Sequence, residues 1–162
     1  MPGREVGIIM ANVATLTLTR IKYDGETVGS QTDFSISAAG STTPIKTDIK
    51  HGAEKKYTKV VYSGSSDEKN LKIPIEIVAS EKDPKTADDA SRRKQVVLLA
   101  KGKKSDFSVV LDVMEKGDLF KTGNTAHFIF DFHAEYGAAP APAPAPKPKA
   151  KGSSKTTTKK KR

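Results

Sequence analysis

Few groupings in these 162 residues have the types and spacing to do chemistry. His127, Asp131, His133 and Glu135 alternate with phenylalanines, so on a strand all four share one face. Asp131 and His133 would stand about 6.5–7 Å apart along it, close enough to share a metal ion if a neighbouring strand added ligands. No zinc-type ligand spacing accompanies them, and the plain alternative is a solvated polar face behind Phe128, Phe130 and Phe132. A second grouping is acidic, with Glu81, Asp83, Asp88 and Asp89 in one polar stretch. Carboxylates are hard oxygen ligands suited to calcium, and Asp83, Asp88 and Asp89 are the candidate ligands. Lys82, Lys85, Arg92, Arg93 and Lys94 oppose a cation there and equally fit a mixed-charge solvated loop. Serines and three histidines exist, but there is no nucleophile elbow, phosphate-cradling glycine loop, dinucleotide fingerprint or zinc-protease pair. No catalytic residue is therefore expected, and the chain reads as a non-enzymatic structural or interaction module.

The third grouping is cationic. From Ala138 onward stand Lys147, Lys149, Lys151, Lys155, Lys159, Lys160, Lys161 and Arg162, with no acid among them. These are eight of the 28 basic residues, which leaves twenty against the 19 acids, so the net charge of +9 belongs to one end. Such a cluster releases condensed counterions from DNA or RNA without reading sequence, because lysines here would touch phosphates rather than base edges. These eight residues are the candidate nucleic-acid-binding set. The tail has no aromatic residue, so base stacking contributes nothing there. Its Ala/Pro/Lys composition resembles the C-terminal tails of linker histones and of some bacterial histone-like proteins, over residues 138–162 alone. That resemblance implies nucleic acid as the polyanionic partner. The same cations also suit solubility, attachment to anionic membranes or cell-wall polymers, or nuclear import through Lys159, Lys160, Lys161 and Arg162.

The elements that must position these groups follow from composition and period. The length suits one domain with an appendage. No cysteine is present, which excludes disulfides, thiolate metal sites and a cysteine nucleophile. No apolar run approaches the roughly 20 residues of a transmembrane helix. The first nine residues carry Arg4 and Glu5 and do not read as a signal peptide, so a cytoplasmic or nucleic-acid-associated chain is expected, and a virion component fits the layout. Residues 1–10 read as an N-terminal extension, 11–137 as the domain, 138–148 as an Ala/Pro linker and 149–162 as a disordered Lys-rich tail. The linker's alternating prolines favour polyproline II, about 3.1 Å per residue, for a reach on the order of 30 Å.

Within the domain, period-2 alternation recurs and helical stripes are scarce. Residues 13–23 place Ala14, Leu16 and Leu18 on one face, and a bulge near Arg20 brings Ile21 and Tyr23 inward. Phe34, Ile36 and Ala38 mark a second strand, residues 40–44 a loop, and Ile45, Thr47 and Ile49 a third strand. A fourth spans 57–62. Leu71, Ile73, Ile75 and Ile77 form the clearest alternation, and Pro74 places that strand at a sheet edge or at a bulge. Residues 80–94 are charged, with Thr86 and Asp89 spaced to cap a helical turn. Further strands are expected over 96–100, 107–113 and 126–136. The expectation is an all-β, antiparallel sandwich of about eight strands, with C2-like, immunoglobulin-like and jelly-roll topologies all open. Self-association through an edge strand such as 71–78 is a further expectation. In an antiparallel succession the odd-numbered connections share one end, gathering the 81–89 acids with Asp24, Glu26, Glu115 and Asp118. That arrangement loosely resembles C2-like and lectin-like modules and implies calcium-dependent ligand binding as the alternative function.

Overall fold

Alternating branched and aromatic residues build eight strands in the computed structural model, which describes residues 11–28, 32–81, 90–114 and 123–138. They are β1 (Asn12–Gly25), β2 (Thr32–Ala38), β3 (Ser41–Ile45), β4 (Glu54–Ser66), β5 (Asn70–Glu81), β6 (Ala90–Ala100), β7 (Lys103–Met114) and β8 (Thr125–Ala138). Two four-stranded antiparallel sheets result, in the orders β4-β1-β8-β7 and β3-β2-β5-β6. The expected all-β sandwich is the architecture found, and no helix occurs among the described residues.

The buried faces match the alternation. Leu16, Leu18, Ile21, Phe128, Phe130 and Phe132 from one sheet meet Phe34, Ile36, Ile73 and Ile77 from the other. Phe34 stands edge-on to Phe128 at 4.8 Å and to Phe130 at 5.0 Å, and Tyr23 stacks on Phe128 at 4.4 Å. The phase slip in β1 is real: its register against both β4 and β8 shifts between Leu18 and Arg20, so Leu18 and Ile21 both point inward.

Several boundaries differ from the sequence reading. Residues 41–45 are a strand rather than a loop. They form a tight hairpin with β2 in which Ala38 pairs Ser41. The connecting Ala39 and Gly40 both have positive φ, 47° and 87°, the conformation that matches the twist of flanking strands. Ala39 in the left-handed region is an uncommon choice, which is why the hairpin left little trace in the sequence. Beyond Ile45 the chain leaves the sheet despite its alternation. Thr47 is buried there, and its Oγ1 accepts a hydrogen bond from the Ile49 amide, a local bond that competes with a strand ladder. β6 starts at Ala90, opposite Ser80 of β5, and Arg92 and Lys94 pair across with Glu76.

Pro74 is neither on an edge strand nor at a bulge. β5 lies between β2 and β6, and its register with β6 is unbroken from Asn70 to Ser80. The Pro74 carbonyl accepts from the Ala39 amide, so the absent N–H lies on the same side of the strand. β2 has already ended there, at Ala38 opposite Ile75, so no ladder bond is lost.

The register also fixes the two ends of the sandwich. Gly25 lies opposite Ala126, Lys22 opposite Glu54, Phe34 opposite Ile45 and Thr32 opposite Glu81. The connections β1–β2, β3–β4, β5–β6 and β7–β8 therefore emerge at one end, as the antiparallel succession implies. At the other end the β6–β7 turn of Lys101 and Gly102 lies beside the close of β8, where the Gly102 amide donates to the Tyr136 carbonyl.

Phe130 is fully buried between the sheets, so Phe130→Ala should lower stability by about 3–5 kcal/mol, with the urea midpoint falling and the m-value unchanged.

Candidate functional site

Strand alternation brings His127, Asp131, His133 and Glu135 onto the outward face of β8, as expected, but each is engaged by a different cross-strand partner. His127 Nδ1 lies 2.6 Å from Asp112 Oδ1, and His133 Nδ1 lies 2.6 Å from Asp106 Oδ1. A carboxylate only accepts, so Nδ1 carries the proton in both contacts. Asp131 accepts from Arg20 Nε and from Ser108 Oγ, each at 2.6 Å. Arg20 reaches on to Glu54 at 2.9 Å, and Lys104 pairs with Glu135 at 2.8 Å. The outer face of this sheet is thus laced with pairs running across β4, β1, β8 and β7. Asp131 and His133 do not converge. No group of three or more acids and histidines able to hold a metal occurs among the described residues.

The end where the odd-numbered connections gather is also polar, and its described acids have structural duties. Glu26 Oε2 accepts from the Thr125 amide at 2.8 Å, while the Glu26 amide donates to the Thr125 carbonyl at 2.9 Å. Asp24 caps the Gly25 amide at 2.8 Å and faces Lys22 at 3.5 Å. Gly25 itself has φ +82°, and a Cβ there would lie 2.9 Å from the Thr125 carbonyl oxygen, so the end of β1 tolerates only glycine. Asp48 accepts from Lys55 Nζ at 3.1 Å. A cleft of about 600 Å³ opens at this end, floored by Tyr23 and Phe128 and rimmed by Thr47, Asp48, Lys50 and His51. His51 contacts the Gly25 carbonyl and Asp48 is held by Lys55. The calcium candidates Asp83, Asp88 and Asp89, and the Thr86 cap, lie outside the described residues. So do the tail cations Lys147 to Arg162.

A feature missed by the sequence reading is the uneven charge of the domain. The hairpin of β6 and β7 carries Arg92, Arg93, Lys94, Lys101, Lys103 and Lys104 against only Asp106 and Asp112. Counting the domain as one neutral body hid this. Arg93, Lys101 and Lys103 make no ion pair among the described residues. Also missed were Val96 and Leu98. Their apolar run suggested burial, yet they are 54% and 67% exposed, because no described residue packs on the outward face of β6.

Among the described residues, three carboxyls are held below their ordinary range. The Gly25 amide and then Lys22 lower Asp24; the Lys55 hydrogen bond lowers Asp48; the Lys104 hydrogen bond lowers Glu135. A depressed folded-state value adds stability above the unfolded-state value, lost as pH falls through the folded one. The Tm should therefore decline from about pH 5 downward, where ordinary carboxylates begin to protonate. In Glu135→Gln the decline should be shallower in a thermal melt series across that range.

No protein-family model matches the chain, and no curated relative does. Among solved structures the chain is similar to a C2 domain, domain A, of a plant Extended Synaptotagmin 1, at 12% identity and a TM-score of 0.41. That match covers 82% of this chain and 98% of the other. It is similar also to a structure described as that of a C2 domain, at 14% identity and a TM-score of 0.38, covering 75% of this chain and 97% of the other.

Proposed function

We propose that this chain is a non-catalytic binding module whose C-terminal cations tether it to a polyanion, nucleic acid foremost, without sequence specificity. The observation that carries this reading is the distribution of charge. The described acids on the β4-β1-β8-β7 face are matched by cross-strand partners, whereas the eight cations from Lys147 onward have no acid in their segment. Topology adds support. β8 delivers the chain to the end of the sandwich occupied by the β6–β7 turn, so Lys101 and Lys103 lie where the tail departs. A polyanion met by the tail would meet those lysines next. Release of counterions from about 8 phosphates gives a log–log salt slope near −7. The full chain should bind a labelled generic duplex with about that slope. A chain ending at Ala138 should lose most of both the affinity and the slope. Equal binding by the two chains would sink the tether.

A second reading is favoured by the gathering of all four odd-numbered connections at one end: a calcium-dependent, C2-like or lectin-like ligand-binding domain acting through Asp83, Asp88 and Asp89. Glu81 and Ala90, which bound that connection, are placed at that end by pairing with Thr32 and Ser80. Millimolar calcium should then raise the Tm by about 2 °C or more, and Asp88→Ala combined with Asp89→Ala should abolish the rise. An unchanged melting curve with calcium present removes this reading and leaves the tether standing.

A further inference from the structure

The outer edge of β6 combines three features. β6 is eleven residues long and, among the described strands, pairs with β5 alone, so every second backbone N–H and C=O along it points away from the sheet. Its centre presents Val96 and Leu98, the latter among the most exposed large apolar side chains of the domain, beside Pro74 on the neighbouring strand. Both ends of this apolar centre are basic: Arg93 on one side, Lys101 and Lys103 on the other, none of them in an ion pair among the described residues.

Those charges select the occupant. A second copy pairing antiparallel through β6 would set Arg92 and Arg93 near Lys101 and Lys103 of its partner, and a parallel copy would set each cation beside itself. Like charges directly opposite destabilise a strand pair, so self-pairing is disfavoured. The chain's own tail is basic as well and is disfavoured for the same reason. The Arg92, Arg93 and Lys94 cluster is also the sort of charge that guards an exposed edge against indiscriminate pairing. A strand with acids at its ends reverses the sign of every one of these terms.

We propose that the free edge of β6 is a docking strand for an extended acidic segment of a partner protein. The segment adds as a fifth strand to the β3-β2-β5-β6 sheet. Its backbone satisfies the open edge, alternate apolar side chains lie against Val96 and Leu98, and acidic residues at its ends meet Arg93 and Lys101. Eight residue steps separate those two cations, about 27 Å of extended strand, so the acids sit near the ends of a segment of roughly ten residues.

The test uses the full chain and a synthetic peptide of about ten residues, with valines at alternate central positions and glutamates at both ends. Binding is read by fluorescence anisotropy. The comparison protein is Val96→Thr with Leu98→Thr, which keeps branched strand-forming residues, all cations and the same tail. Any attraction of the peptide to the tail is therefore equal in both proteins. Docking predicts binding that weakens about tenfold or more in the double variant. A similar loss is expected when alternate central amides of the peptide are N-methylated. A lysine-ended peptide of the same centre should not bind. Equal affinity for both proteins, or for the methylated and unmethylated peptides, overturns the proposal and assigns the binding to the tail. A dimer of the full chain that dissociates in the double variant would overturn it in favour of self-pairing. Attachment to anionic vesicles that the double variant loses, with no peptide binding, would overturn it in favour of a lipid surface.

Discussion

Phe34 of β2 lies edge-on between Phe128 and Phe130 of β8, and this contact between the two sheets is the one on which the rest depends. β8 is an inner strand whose side chains from Ala126 to Tyr136 alternate strictly between core and surface. Because its inward face is held by large aromatic rings, its register cannot slip by one residue without turning Phe128, Phe130 and Phe132 to water. That rigidity passes outward to both neighbours. β1 pairs with β8 along nearly its whole length, and β7 takes its register from β8 over twelve residue pairs.

The outer-face chemistry is a consequence of this fixed register. His127 meets Asp112, His133 meets Asp106, Asp131 meets Ser108 and Glu135 meets Lys104 because those residues are directly opposite in the ladder. A set that looks like metal ligands along one strand is thereby divided among separate cross-strand partners. Exposed pairs of this kind contribute little stability each, but together they leave the sheet nearly neutral. Among the described residues Arg93, Lys101 and Lys103 of the β6–β7 hairpin stay unmatched, as do Lys56 and Lys59 of β4.

How far each feature was legible in the sequence depended on how local its cause was. The alternation of Leu71, Ile73, Ile75 and Ile77, the Phe128/Phe130/Phe132 column and the slip at Arg20 were all readable, since side-chain period is a property of a single strand. The hairpin at Ala39 and Gly40 was not, because an alanine with positive φ lacks the usual turn signature. Thr47 misled in the other direction: the pattern around it alternates, yet its hydroxyl bonds its own backbone two residues on. Pro74 was misjudged because a missing donor marks an edge only when a neighbour is present at that residue, and β2 stops one residue short of it.

The sequence by itself determined the class of the fold, the inward faces of most strands and the segregation of positive charge into the C-terminal segment. These follow from period and composition, which need no knowledge of neighbours. Only the tertiary structure decided which strands are edges, which polar residues neutralise one another and which apolar residues stay exposed. Val96 and Leu98 belong to an apolar run that looks like core, and Asp131 and His133 to a pattern that looks like a site. Their fates depend on strands distant in the chain: β6 buries Val97 and Leu99 against the other sheet while no described residue covers its outward face, and β1 and β7 flank β8. Pairing across a sheet is non-local, so its consequences for exposure and charge enter only when the strands assemble.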